Sequence, residues 1–185
     1  RSFNKRIFNK FDLILTGSDR LKKNLMYLVD ENKIYITGDS RLDRVIQRKT
    51  HANLNLLPNT FAESKTLILG SIEASDYPVL FSSLKTYYPN GNESLTQKNH
   101  RLIIAPHEID QKNIETIHSH LKKLDFDTVY FTEKDKLADS HVVIINVIGI
   151  LADLYGYADL AYVGSGFNDG IHSVLEPAVY SNAIS

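Results

Sequence analysis

The chain has 185 residues, 43% of them hydrophobic, a formal net charge of -1 and no cysteine. A charge so near neutral gives no ground for binding nucleic acid or an anionic membrane, and the missing thiols exclude disulfides, thiolate catalysis and cysteine-ligated metal. No apolar run approaches the roughly 20 residues of a spanning helix and no signal-peptide pattern opens the chain, so it reads as soluble; its length and apolar content suffice for one compact core, or for one full domain plus part of another.

The opening Arg1, Lys5, Arg6 and Lys10 interleave with Phe3, Ile7, Phe8 and Phe11. That pattern suits a membrane-surface helix, although a solvated helix packing on its own domain is the more ordinary reading. Short apolar runs rich in β-branched residues at 12–16, 33–37, 65–69, 101–105, 128–131, 141–146 and 161–163 are the expected strands. Helical patterns lie at 19–29, 77–87, 111–123, 149–155 and 174–180. In the third of these, Ile114, Ile117, Leu121 and Leu124 recur at helical spacing and form one apolar stripe. Alternation of the two patterns predicts an α/β fold, a Rossmann-like parallel sheet with helices on both faces.

Between Arg44 and Ser64 the periodicity lapses, with Pro58 and Asn59 as turn signals. Residues 1–44 are therefore expected to be the remnant of one domain, 45–64 an interdomain linker, and 65–185 most of a second domain. The run from Tyr88 to Ser94 reads as a surface loop. Arg1 opens in mid-pattern and no closing element follows Tyr180, so a piece of a longer protein is expected.

Ligands of an open parallel sheet bind beyond the carboxyl ends of its strands. That rule selects Gly70-Ser71, Pro106-His107-Glu108 and Gly164-Ser165-Gly166, and then Gly170, His172, Ser173 and Glu176 ahead of a helix. Glycines there let backbone N–H groups approach a phosphate. Plainer readings exist for each: strand-end glycines are common in such folds, and a lone His107 is more often structural. Ser173 and Glu176 also have the S-x-x-E spacing of a capping box. Pro177 prefers the first helical position, which would put Glu176 at the helix mouth. Spacing leaves Glu176 open between cap and ligand contact. No dinucleotide, P-loop, zincin or hydrolase signature occurs, and the histidines and carboxylates show no clear metal spacing.

The run from Gly149 to Phe167, followed by Gly170-Ile-His-Ser-Val-Leu-Glu-Pro-Ala178, resembles a pattern of the 3-deoxy-D-manno-octulosonic acid (Kdo) transferases of lipopolysaccharide assembly. That pattern is G-x-L-x-x-L-Y-x-x-A-D-x-A-[FY]-V-G-G-[SG], then G-[GI]-H-N-x-L-E-P-A. Upstream, Thr37-Gly-Asp-Ser-Arg-Leu-Asp43 is similar to the family's T-G-[ND]-x-[KR]-[FL]-D, and Leu69-Gly70-Ser71 to its G-S-[TI]. Phe11 to Leu15 with Ser18 fits its penultimate N-domain strand. Three positions depart from the common pattern. Ser165 stands where glycine is usual, Ser173 where asparagine is usual, and His107 falls at the arginine of P-R-H-P-E. A charge-assisted donor to the nucleotide phosphate then becomes conditional on histidine protonation.

The resemblance implies a two-domain GT-B glycosyltransferase that inverts configuration at the anomeric carbon and needs no cofactor and no catalytic metal. The C-terminal domain would bind CMP-Kdo, and the N-terminal domain would bind the lipid A precursor and supply the catalytic base. A membrane anchor at the cytoplasmic face of the inner membrane and the base would both precede Arg1, leaving no catalytic residue in this fragment. Donor-binding positions on this reading are Ser71, His107, Gly164, Ser165, Gly166, Gly170, His172, Ser173 and Glu176, the last on ribose hydroxyls. Two alternatives stay open: another GT-B-like enzyme, such as a nucleotide-sugar 2-epimerase, or a non-catalytic nucleotide-binding module.

Overall fold

A computed structural model describes residues 2–167, 170 and 172–185, with the Ser2 side chain left aside. The chain divides into two compact units, residues 1–47 and 48–185. The first begins with helix α1 (Ser2–Phe8) and holds a parallel strand pair, β1 (Ile14–Thr16) and β2 (Ile34–Ile36), bridged by α2 (Asp19–Leu25). Ser18 accepts a hydrogen bond from Leu21 N–H at 3.3 Å and so caps α2. Helix α3 (Ser40–Thr50) runs across the boundary between the units.

The stretch expected as a linker is structured. It contains the end of α3 and the short helix α4 (Asn59–Ala62), and both Leu57 and Phe61 are buried in the core of the second unit. Tyr157 explains why so polar a segment packs: its hydroxyl bonds the Leu54 carbonyl and accepts from the N–H groups of Leu56 and Leu57. Arg48 and Lys49 add bonds to the carbonyls of Gly149 and Val179.

The rest of the second unit is a six-stranded, all-parallel sheet of order β5-β6-β4-β3-β7-β8. Its strands are β3 (Lys65–Ile72), β4 (His100–Pro106), β5 (Thr128–Tyr130), β6 (Val142–Ile144), β7 (Leu160–Val163) and β8 (Ala183–Ile184). Side chains alternate between the faces. Leu69, Leu102, Ile104, Val142 and Ile144 meet α5 (Tyr77–Tyr87), α6 (Gly91–Lys98) and α7 (Gln111–Lys122). Ile68, Ile103, Val143, Ile145 and Ala161 meet Phe61 of α4 and Leu154 of α8 (Leu151–Leu154). Two apolar clusters thus sandwich the sheet, which is the α/β arrangement with helices on both faces that the apolar strands imply. Among the described residues no helix is long and apolar enough to cross a membrane.

Two local readings change. The run from Tyr88 to Ser94 is not simply a surface loop: the turn at Gly91, φ 50°, opens α6, and Ser94 and Leu95 are buried. With Leu95 as its main apolar anchor, α6 shows no periodicity to detect. At the other end, Ala183 and Ile184 close the sheet by pairing with Leu160 and Ala161 of β7. Two residues are too few to register as a strand pattern.

Candidate functional site

The chain leaves β3 in one direction to build β4, then returns past β3 to build β7. The point of reversal lies between the carboxyl ends of β3 and β7, where an open parallel sheet forms its ligand crevice. The register there is irregular: β3 shifts against β4 between Gly70 and Ile72, and Ser71 takes the left-handed conformation at φ 52°. The backbone of β7 comes very close. A Cβ on Gly164 would lie 2.7 Å from Ile72 Cα and closer still to the Ser71 carbonyl oxygen. Only glycine permits that approach.

A buried carboxylate organises the crevice. Asp76 has no exposed surface, and its Oδ2 accepts from Glu73 N–H at 2.8 Å and from Ser165 N–H at 3.0 Å. Its Oδ1 accepts from the Tyr162 hydroxyl at 2.8 Å. Burial, and after it the Asp76 carboxylate that it bonds, together push the pKa of the Tyr162 hydroxyl up to about 12. Asp76 therefore joins the loop after β3 to the turn after β7, and holds Ser165 at φ 72°.

That arrangement alters which groups of the glycine turn face outward. Gly164 N–H is bonded to the Gly70 carbonyl and Ser165 N–H to Asp76, so both are engaged within the fold. Among the described residues, Gly166 N–H and the Ser71 hydroxyl make no bond inside the protein and stay available to a ligand. A Cβ on Gly166 would meet nothing within 4 Å.

Three more side chains converge beside the turn. His172 N–H donates to the Gly164 carbonyl at 3.3 Å, which sets the imidazole over the end of β3. Its Nε2 lies 3.1 Å from Glu73 Oε1. The ring stacks on His107, centroids 4.5 Å apart and planes 21° from parallel, and His107 is itself positioned by its N–H bond to the Ile72 carbonyl. A cleft of about 330 Å³ opens here, lined by Ile72, Glu73, Ala74, His107, Glu108 and Asn113. A larger, apolar cavity of about 430 Å³ lies at the opposite, amino end of the strands, beside Lys65, His100 and Leu160, and contains none of the expected site residues.

The structure thus brings Ser71, His107, Gly164, Ser165 and His172 together. Gly166 is exposed at the tip of its turn and Gly170, at φ 110°, lies beyond it. Ser173 is exposed and Glu176 half-buried. The capping box is absent: helix α9 (Leu175–Val179) is preceded by Val174 at its cap position and has no side-chain cap. Pro177 falls at the third helical residue and is buried, so packing, rather than its preference for the first position, decides where it sits. Glu176 is therefore in the first turn with its carboxylate unspent on the backbone. Burial raises the Tyr155 hydroxyl's pKa, and the Glu176 charge raises it further. Sequence reasoning missed Glu73 and Asp76. Only their position, within six residues of the end of a strand, could have flagged them.

Comparison with known proteins gives a consistent family signal. The chain is 27% identical, over 96% of its length, to the 3-deoxy-D-manno-octulosonic acid transferase of Chlamydophila psittaci, and 26% identical over 92% to that of Chlamydia muridarum. It spans about two fifths of the length of these curated relatives, 40% and 38% respectively. No family model matches the chain. Among solved structures, the C-terminal CMP-Kdo binding domain of WaaA from Acinetobacter baumannii superposes with a TM-score of 0.56 at 16% identity, covering 76% of this chain and 69% of that one. The Rossmann-like α/β fold is common to both.

Proposed function

We propose, from homology to Kdo transferases along nearly the whole chain, that this is the donor-binding part of an inverting GT-B glycosyltransferase that moves Kdo from CMP-Kdo to a lipid A precursor. One observation carries the reading. The segment resembling the family's pattern contains β7, and residues 164–167, which follow that strand, stand at the carboxyl edge of the sheet at its reversal point, where the fold on general grounds binds its ligand.

Departure of CMP leaves negative charge on its phosphate, and donors already held in place stabilise that charge without reorganising. Here the donors are Gly166 N–H and the Ser71 hydroxyl, with the imidazoles of His107 and His172 beside them. Glu176 accepts from the ribose hydroxyls. The acceptor lipid, the base and the contact with the cytoplasmic face of the inner membrane belong to parts of the enzyme upstream of Arg1. Calorimetric titration of the chain with CMP, UMP and AMP tests the assignment. CMP should bind most tightly, and a preference for AMP would overturn the reading.

A further inference from the structure

Glu73, His107 and His172 come from three separate segments, yet one ligating atom of each lies within 4.8 Å of the others. The core does not require this convergence, because His107 is exposed and the other two are only half-buried. Glu73 and His172 already meet at 3.1 Å, and the two imidazoles lie face to face. We propose that these side chains bind one divalent transition cation, zinc being the best fit, which ties the connection between β7 and α9 to the ends of β3 and β4.

The donor set argues for the class of ion. Two imidazoles and a carboxylate suit zinc, with bonds of about 2.0–2.2 Å that place tetrahedral ligand atoms roughly 3.3 Å apart. Glu73 and His172 stand close to that separation, and the exposed His107 ring, stacked on His172, has to rotate to direct its lone pair at the same ion. Magnesium, which demands octahedral oxygen ligation and keeps its waters, is a poor match. Three protein ligands leave a fourth position for water or a phosphate oxygen. The transfer reaction proposed above routes no step through a metal. This inference rests on three side chains and needs no nucleotide.

The test is calorimetric titration of the metal-free chain with zinc chloride, without nucleotide, beside His107→Ala, His172→Gln and Glu73→Gln. The parent should take up zinc at one site that His107→Ala and His172→Gln each weaken by at least about tenfold, since even loss of an outer partner costs that much. Zinc should raise the thermal midpoint of the parent and leave that of His172→Gln unmoved. Circular dichroism in EDTA establishes that the variants fold, and because His107 is exposed, His107→Ala decides the matter if His172→Gln does not fold. Zinc affinity and stoichiometry unchanged in the folded variants, or no zinc uptake by the parent, would overturn the proposal. A CMP titration of the metal-free chain, run separately, keeps its outcome distinct from the nucleotide assignment.

Discussion

Asp76 has no exposed surface and three donors aimed at it, the N–H groups of Glu73 and Ser165 and the Tyr162 hydroxyl. Removing the carboxylate leaves those donors buried and unpaired. Asp76→Ala should therefore cost about 3–4 kcal/mol of stability by urea denaturation, near the upper end for a single substitution. A loss under about 1 kcal/mol would mean that the crevice reorganises freely. Glu176 should behave in the opposite way. With no capping box to lose, Glu176→Gln should barely change the melting temperature while removing roughly 1–3 kcal/mol of CMP binding, the range for hydrogen bonds to a charged group. Binding of 2′,3′-dideoxy-CMP should be almost indifferent to the substitution. Equal losses for the two nucleotides would remove Glu176 from the ribose.

The turn after β7 holds two glycines with different reasons to be glycine. Gly164→Ala sets a methyl group against the Ser71 carbonyl and Ile72 Cα, a backbone clash that the sheet cannot relieve by moving a side chain. It should destabilise the fold by about 2–3 kcal/mol or more, whereas Gly166→Ala, with open space around it, should leave stability within about 0.5 kcal/mol and act only on nucleotide affinity. Equal unfolding midpoints for the two variants would show that the close approach is not rigid. The same contrast explains what could be read from the residues alone. Strands β3, β4 and β7 announce themselves as apolar β-branched runs, and helix α5 spans the expected residues, Tyr77–Tyr87. The glycine and histidine turns follow from the rule about carboxyl ends. Helix α6 and the packed segment around Leu57 stayed hidden because tertiary contacts, the Tyr157 hydroxyl above all, make them what they are. Asp76 stayed hidden for the same reason, since its partner Ser165 is 89 residues away.

Across the second unit, several tyrosines are held protonated by the fold. Burial pushes the hydroxyls of Tyr77, Tyr88 and Tyr162 up to about 12, from an ordinary value of 10.0. A raised folded pKa contributes stability that is fully present below the unfolded value and lost as pH rises through the folded one. The urea midpoint should thus hold steady from neutral pH to about 10 and then fall towards 12, with tyrosinate absorbance rising on unfolding. A midpoint independent of pH over that interval would contradict the burial of these hydroxyls. On the proposed reading, in which other parts of the enzyme supply the base and the acceptor site, the chain by itself should show no transfer from CMP-Kdo to lipid A precursor, and measurable turnover would place the base within it.

Where CMP binds is best followed by amide chemical shifts in a nitrogen-15-labelled sample. The shifts should cluster at Ser71, Gly166, His107, His172 and Glu176, all on the carboxyl edge of the sheet or in the segment that follows β7. Perturbations gathered instead around Lys65, Tyr87, His100 and Leu160, at the apolar cavity on the amino edge, would contradict the donor-binding account.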